Sequence, residues 1–227
     1  TDSPYTVLIS STTGENVMKR NLSILACAGL LGFAGTSVAD PFYLDPGNDL
    51  DSVDSNSTTS VFELFTMSLF DPTSTYFDDA GPNNGVSFGD TVIDIGSTTV
   101  GQLNPLGFGD SKEGFNNDWG LNVDWQLIGS TVIGNDDGDG IYQAGTGEVL
   151  GASFFGGTVD FTIDDPSGNS GFANGSTVLS IDVLSSTVDT TNGISLDIPG
   201  QVGTAADDFA FFASGQDFYD LMQSGTT

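Results

Sequence analysis

The residues of this chain best suited to chemistry form one short run, Asn135-Asp136-Asp137-Gly138-Asp139-Gly140. Side-chain oxygens at Asn135, Asp137 and Asp139, a glycine for the bend at Gly140 and a main-chain carbonyl at Ile141 match the first half of a calcium loop, where alternate positions of a curled segment converge on a hard cation. The second half departs from that pattern. Thr146 stands where a bidentate glutamate would close the shell, and Glu148 comes two residues late. The flanks are strand-like rather than helical. The expectation is a structural Ca2+ held by Asn135, Asp137, Asp139, Ile141 and Glu148 in a β-hairpin loop, with a solvated Asp-Gly turn as the alternative.

Other acidic groups offer less. Asp45, Asp49, Asp51 and Asp54 lie in a Ser- and Asn-rich stretch that reads as a solvated loop, and Asp164-Asp165-Pro166 and Asp207-Asp208 read as turns. Paired carboxylates of the glycosidase kind would be sought at Glu113, near Trp119, Asp118 and Asp124. Trp125 falls on the apolar face of its strand, and Trp119 is expected to pack rather than to bind. No catalytic residue is assigned, and the protein is expected not to be an enzyme.

Composition removes most other chemistries. The chain of 227 residues has no histidine, three basic residues and 31 acidic ones, for a formal charge of −28. A Ser-His-Asp triad, a Cys-His pair and a His-ligated metal are therefore impossible. The basic residues are Lys19, Arg20 and Lys112, too few to bind nucleic acid or an anionic membrane surface. Divalent cations and neutral polymers remain as partners. Only Glu63, Glu113 and Glu148 are glutamates after residue 40, and this bias to aspartate suits turns and hard cations better than helix surfaces. Hydrophobic residues make up 37%, including 17 phenylalanines, which separates the chain from a disordered acidic tail.

The N-terminal part reads as export machinery. Met18-Lys19-Arg20 is a basic start, Leu22 to Phe33 an apolar run, and Ser37-Val38-Ala39 a small-x-small cleavage site, so residues 18–39 form a secretory signal peptide. Residues 1–17 then read as a translated upstream leader, Gly14-Glu15-Asn16 matching a purine-rich ribosome-binding stretch. Cys27 lies within the discarded signal, which leaves an exported protein without disulfides and without direct membrane insertion.

Residues 40–227 read as a single all-β domain, an antiparallel β-sandwich or jelly roll, with its end at Thr227 open to truncation. Leu121 to Leu127 alternates apolar and polar at every step, the pattern of a strand with one buried face. Val61 to Phe70, Val178 to Leu184, Ile194 to Ile198 and Phe209 to Ala213 read as further strands. Two short strands are expected around Gly96. A long turn is expected over Asp71 to Gly85, and a tight hairpin at Gly156-Gly157 between Ala152–Phe155 and Thr158–Ile163. Phe218 to Met222 reads as a last element or a helical turn.

From Asp40 to Met222 the chain resembles the exported, low-complexity β-rich surface proteins of bacteria that make exopolysaccharide, the flocculation-associated PEP-CTERM group. The carrying features are the secretory signal, the Gly-, Ser-, Thr- and Asp-rich strands, Phe154-Phe155-Gly156-Gly157-Thr158-Val159, and the late segment from Phe211 to Leu221. The Pro-Glu-Pro sorting signal, its transmembrane helix and its basic tail do not occur in this sequence. The resemblance implies export and a place in the cell-surface matrix, with exopolysaccharide or other matrix components as partners. The functional expectation is a secreted, non-enzymatic cell-surface or extracellular-matrix protein of flocculation or biofilm. The alternatives are a calcium-dependent carbohydrate-binding or adhesive module and, third, a carboxylate glycosidase.

Overall fold

The computed structural model describes residues 41–67, 73–77, 79, 85–106, 109–189, 195–197 and 200–224. The leader and signal segments expected over residues 1–39 lie outside them. The described residues are mostly β, with antiparallel sheets and one short helix. Three long strands make the frame: β4 (Thr91–Asn104), β5 (Gly120–Gly134) and β6 (Val149–Asp164). The same sheet continues through β7 (Thr177–Val183) to β10 (Gly200–Ala205) on one side, and to β2 (Leu64–Met67) and β3 (Thr73–Tyr76), both paired with β4, on the other. Two two-stranded ribbons complete the described strands, β1 (Phe42–Leu44) with β11 (Ala210–Phe212) and β8 (Thr187–Asp189) with β9 (Ser195–Asp197). A short helix, α1 (Phe218–Gln223), follows β11, capped by the Asp217 carboxylate on the Tyr219 N–H.

Period-2 patterning decides which face of the sheet is dry. Val92, Val100, Val123, Trp125, Leu127, Val159, Phe161 and Ile163 all point inward and are buried. A layer of ribbon, loops and helix covers them. Phe42, Phe62 and Phe65 stack edge and face at centroid distances of 4.3 to 5.4 Å, and Phe65 meets Phe161 of the sheet at 5.2 Å. A second aromatic group, Trp119, Phe172 and Phe209, fills the other end of the layer. Each buried Phe contributes roughly 1.5 to 3 kcal/mol of transfer free energy, so these rings carry much of the interlayer attachment.

Three expectations are corrected. The segment around Gly96 is not two short strands but one, β4. The Trp125 indole lies over Gly96, and a Cβ there would fall 2.0 Å from its ring, so the glycine makes room for a side chain and does not break the strand. Gly156-Gly157 is not a hairpin turn, because β6 runs straight through it. Ile128 pairs with Gly156 and Gly129 with Phe154, which leaves Phe155 as the extra residue of a β-bulge. Gly157 has φ +121° and a Cβ on it would meet the Gln126 carbonyl at 2.2 Å, so the glycine serves a close strand approach. The region expected as a long turn contains β3, whose β-branched Thr73 and Thr75 suit an edge strand.

Among the described residues, no helix is long and apolar enough to cross a membrane.

Gly96→Ala is expected to destabilise the protein by about 1 to 3 kcal/mol or more, because the indole must move and drag its hydrogen bond with it. Urea unfolding followed by circular dichroism measures this, and an unchanged midpoint would show that Trp125 has another place to go.

Candidate functional site

Among the described residues, carboxylates come together at three places. Oxygen atoms of Asp136, Asp137 and Asp139 lie within 4.8 Å of one another, as do those of Asp49, Asp51 and Glu113 and those of Asp207, Asp208 and Asp217.

The first group sits on the loop joining β5 to β6, and its backbone is built by short-range side-chain contacts. Asp136 accepts the N–H groups of Gly138 and Gly140, Asp137 accepts that of Asp139 at 3.1 Å, and Asp139 accepts that of Ile141 at 2.8 Å. Each acid curls the chain onto itself, and all three are exposed. Asn135 has φ 57° and turns its amide to the Gly147 carbonyl at 3.3 Å, so it closes the base of the loop. Ile141 bridges to Ser87 and lies at the edge of the loop. Glu148 accepts the Gln143 N–H on Oε2 at 2.6 Å, and Gln143 in turn donates its side-chain amide to Asp139 at 2.8 Å. The other oxygen of Glu148, Oε1, is shut off from solvent with no hydrogen-bond partner among the described residues. A buried carboxylate oxygen in that condition costs about 1 to 3 kcal/mol, and a cation offsets that cost.

Of the five expected ligands, the close triad contains Asp137 and Asp139. With them stands Asp136, and the three carboxylates form the group without Glu148. Asp136 escapes a reading by alternate positions because it falls on an even step of the run; only its double contact with Gly138 and Gly140 brings it round.

The second group is built differently. Glu113 is fully buried, at 0% exposure, with φ 47°, a conformation that non-glycine residues avoid. Its Oε2 accepts the Leu50 N–H at 2.9 Å and its Oε1 the Ser111 hydroxyl at 2.6 Å. Asp51 accepts Val53 N–H at 2.8 Å on one oxygen, and Lys112 N–H, Glu113 N–H and the Ser111 hydroxyl on the other. Burial on its own would raise the Asp51 pKa, but the sum of these hydrogen bonds outweighs it and holds the carboxyl below its ordinary range. The Ser111 hydroxyl has one hydrogen and three acceptors in reach, Asp51, the Thr58 carbonyl and Glu113. With Asp49 at its exposed rim, this group has the donor set for a hard cation as well.

These contacts also bear on the glycosidase alternative. Trp119 is buried at 2% exposure, its indole N–H on the Glu113 carbonyl at 2.6 Å, so its ring is packed away from solvent. Asp124 lies on the opposite, outer face of the sheet, away from Glu113. Trp125 points inward with its N–H on Asp94 at 2.6 Å.

In the third group, Asp217 caps α1 and also accepts the Asp208 N–H at 2.9 Å. Desolvation first, and then the charges of Asp208, Asp217 and Asp220, raise the Asp207 pKa. Asp45 and Asp54 each accept a backbone N–H two residues on, as turn residues do.

No protein-family model matches this chain, and comparison with curated proteins and with solved structures likewise gives no match.

Asp165, in a turn as expected, is buried at 1% exposure and accepts the N–H groups of Asn169 at 3.0 Å and Ser170 at 2.6 Å. Burial alone would raise its pKa, but these and neighbouring hydrogen bonds lower it overall. A lowered carboxylate gives stability that is present above the unfolded value near 3.9 and is lost as the pH falls through the native value. Asp165→Asn is therefore expected to cost about 1 to 3 kcal/mol at neutral pH. Denaturant titrations at several pH values should show the difference from the parent protein narrowing below about pH 4. A difference independent of pH would mean that shape, not charge, matters at this turn.

Proposed function

We propose that this is a secreted, non-enzymatic β-sandwich-like protein of the cell surface or extracellular matrix, active in flocculation or biofilm, whose β5–β6 loop is ordered by calcium. The observation that carries the reading is Glu148 Oε1, buried without a hydrogen-bond partner among the described residues, beside a loop on which three aspartates already converge. Carboxylate and carbonyl oxygens without any nitrogen or sulfur ligand suit calcium or magnesium, and an irregular loop suits the larger ion. The role assigned to the ion is structural. It would neutralise acids that no basic side chain among the described residues pairs with, and fix a loop that projects between the two longest strands. Exclusion of nucleic acid and anionic membranes by charge, and the lack of histidine and cysteine nucleophiles after residue 40, support a matrix component over an enzyme.

Thermal unfolding of the purified protein at fixed ionic strength, with calcium, magnesium or chelator, tests this. At a hundredfold excess of calcium over Kd the expected stabilisation is about 2.7 kcal/mol, roughly a 5 to 10 °C rise in Tm. Asp137→Ala with Asp139→Ala should remove the rise, and Asp49→Ala should leave it in place. Loss of the rise with Asp49→Ala alone would move the ion to the Asp51 and Glu113 group. Equal rises with both metals in every variant would reduce the effect to screening of a charged surface, and the calcium reading would be withdrawn.

A further inference from the structure

The outer face of the main sheet is the largest feature that neither the loop nor the buried acids explain. Cross-strand pairing sets Thr73, Ile95, Gln126, Thr158 and Asp182 side by side on five successive strands. At strand spacing this row spans about 19 Å. The next row out holds Ser97, Asp124, Asp160 and Ser180, and on the other side lie Ile93, Ile128 and Gly156. Toward that side the face carries open apolar side chains: Phe155 is 60% exposed, Ile95 53% and Ile128 41%. Phe155 owes its position to the bulge, which turns one ring outward beside a strand stripped of side chains at Gly156 and Gly157.

Charge selects the occupant. Asp124 and Asp160 are direct cross-strand partners, a like-charge pair that disfavours the bare sheet. The Ser180 hydroxyl donates to Asp160, and Asp182 lies on the next strand. The sole cationic residue after Arg20, Lys112, is in the covering layer beside Asp51. The face therefore offers carboxylates, an aromatic ring and uncharged hydrogen-bonding groups with no basic residue to compete. An ammonium group is attracted to both a carboxylate and the face of Phe. Threonine, serine, asparagine and glutamine both donate and accept, which suits a ligand whose hydroxyls do the same. A peptide adding as a strand would pair through its backbone at a sheet edge, whereas this surface is a sheet face.

We infer that the outer sheet face, centred on Phe155 and the Asp124–Asp160 pair, binds a glycan carrying free amino groups, that is, a hexosamine polymer wholly or partly de-N-acetylated. A pyranose ring sets its apolar C–H face on Phe155, Ile95 and Ile128, and ammonium groups on neighbouring sugars meet Asp124 and Asp160. The inference goes beyond calcium ordering of the loop and does not depend on it.

Calorimetric titration of the purified protein tests it, in chelator, at about 0.15 M salt and about pH 5.5, where carboxylates are charged. The probes are a β-1,4-linked glucosamine hexamer, its fully N-acetylated counterpart and hexalysine. The glucosamine hexamer should bind at least about tenfold more tightly than either of the others. Phe155→Ala and Asp124→Asn, both at exposed positions, should each weaken it by about fivefold with unchanged unfolding midpoints. Gln126→Ala serves as a further face variant should either of these lose stability. Asp136→Asn with Asp137→Asn removes more charge from a distant loop and should alter binding by less than about twofold. Absence of binding would overturn the inference. So would equal affinity for the acetylated hexamer or for hexalysine, or equal losses in the loop variant, which would mark a neutral-glycan site, a peptide site or diffuse charge attraction.

Discussion

Carboxylates held by main-chain N–H groups, in a chain with almost no cationic side chains, are the constraint on which the rest of this structure depends. An ordinary domain would pair buried acids with Lys or Arg. Here Asp51, Asp90, Asp165 and Asp217 each draw two or more backbone N–H groups onto one side chain, and Asp51 does so between segments distant in sequence. Asp51 brings residues 111 to 113 to the loop after β1, and Glu113 reciprocates through Leu50. Asp165 gathers the turn between β6 and β7. The layer that covers the sheet is thus tied together by acids as much as by aromatic rings.

That arrangement links charge to architecture. Acids satisfied by N–H donors have used part of their capacity, and those left on the surface repel one another. Where three carboxylates meet, the loop has gained its bend from the same side chains that make it electronegative. The structural role of Asp136, Asp137 and Asp139 and the cation-binding role proposed for them are therefore not separable by residue type.

The strands were legible where a period of two was uninterrupted. Leu121 to Leu127 alternates without exception and lies in the middle of β5. Glycines were legible as departures from regular backbone but not as to kind. Gly96 and Gly157 look alike in sequence, yet one accommodates an indole and the other a neighbouring carbonyl, and both needs come from residues about 30 positions away. Glu113 illustrates the limit at the candidate sites. Nothing around it in sequence distinguishes a buried, hydrogen-bonded glutamate from a catalytic or exposed one, because its partners Leu50 and Asp51 lie more than 60 residues upstream. The aspartate-glycine run at 135 to 140 was visible because its contacts are local, and so was its departure from a standard calcium loop at Thr146.

The two indoles have a consequence for how the protein reports on itself. Both tryptophans are turned into the dry side of the sheet, one donating to the Glu113 carbonyl and the other to Asp94, with neither ring on the outer face. Their emission therefore records separation of the covering layer from the strands beneath it, and is blind to whatever settles on the far side. Light absorbed by this molecule at tryptophan wavelengths reads its interior seam.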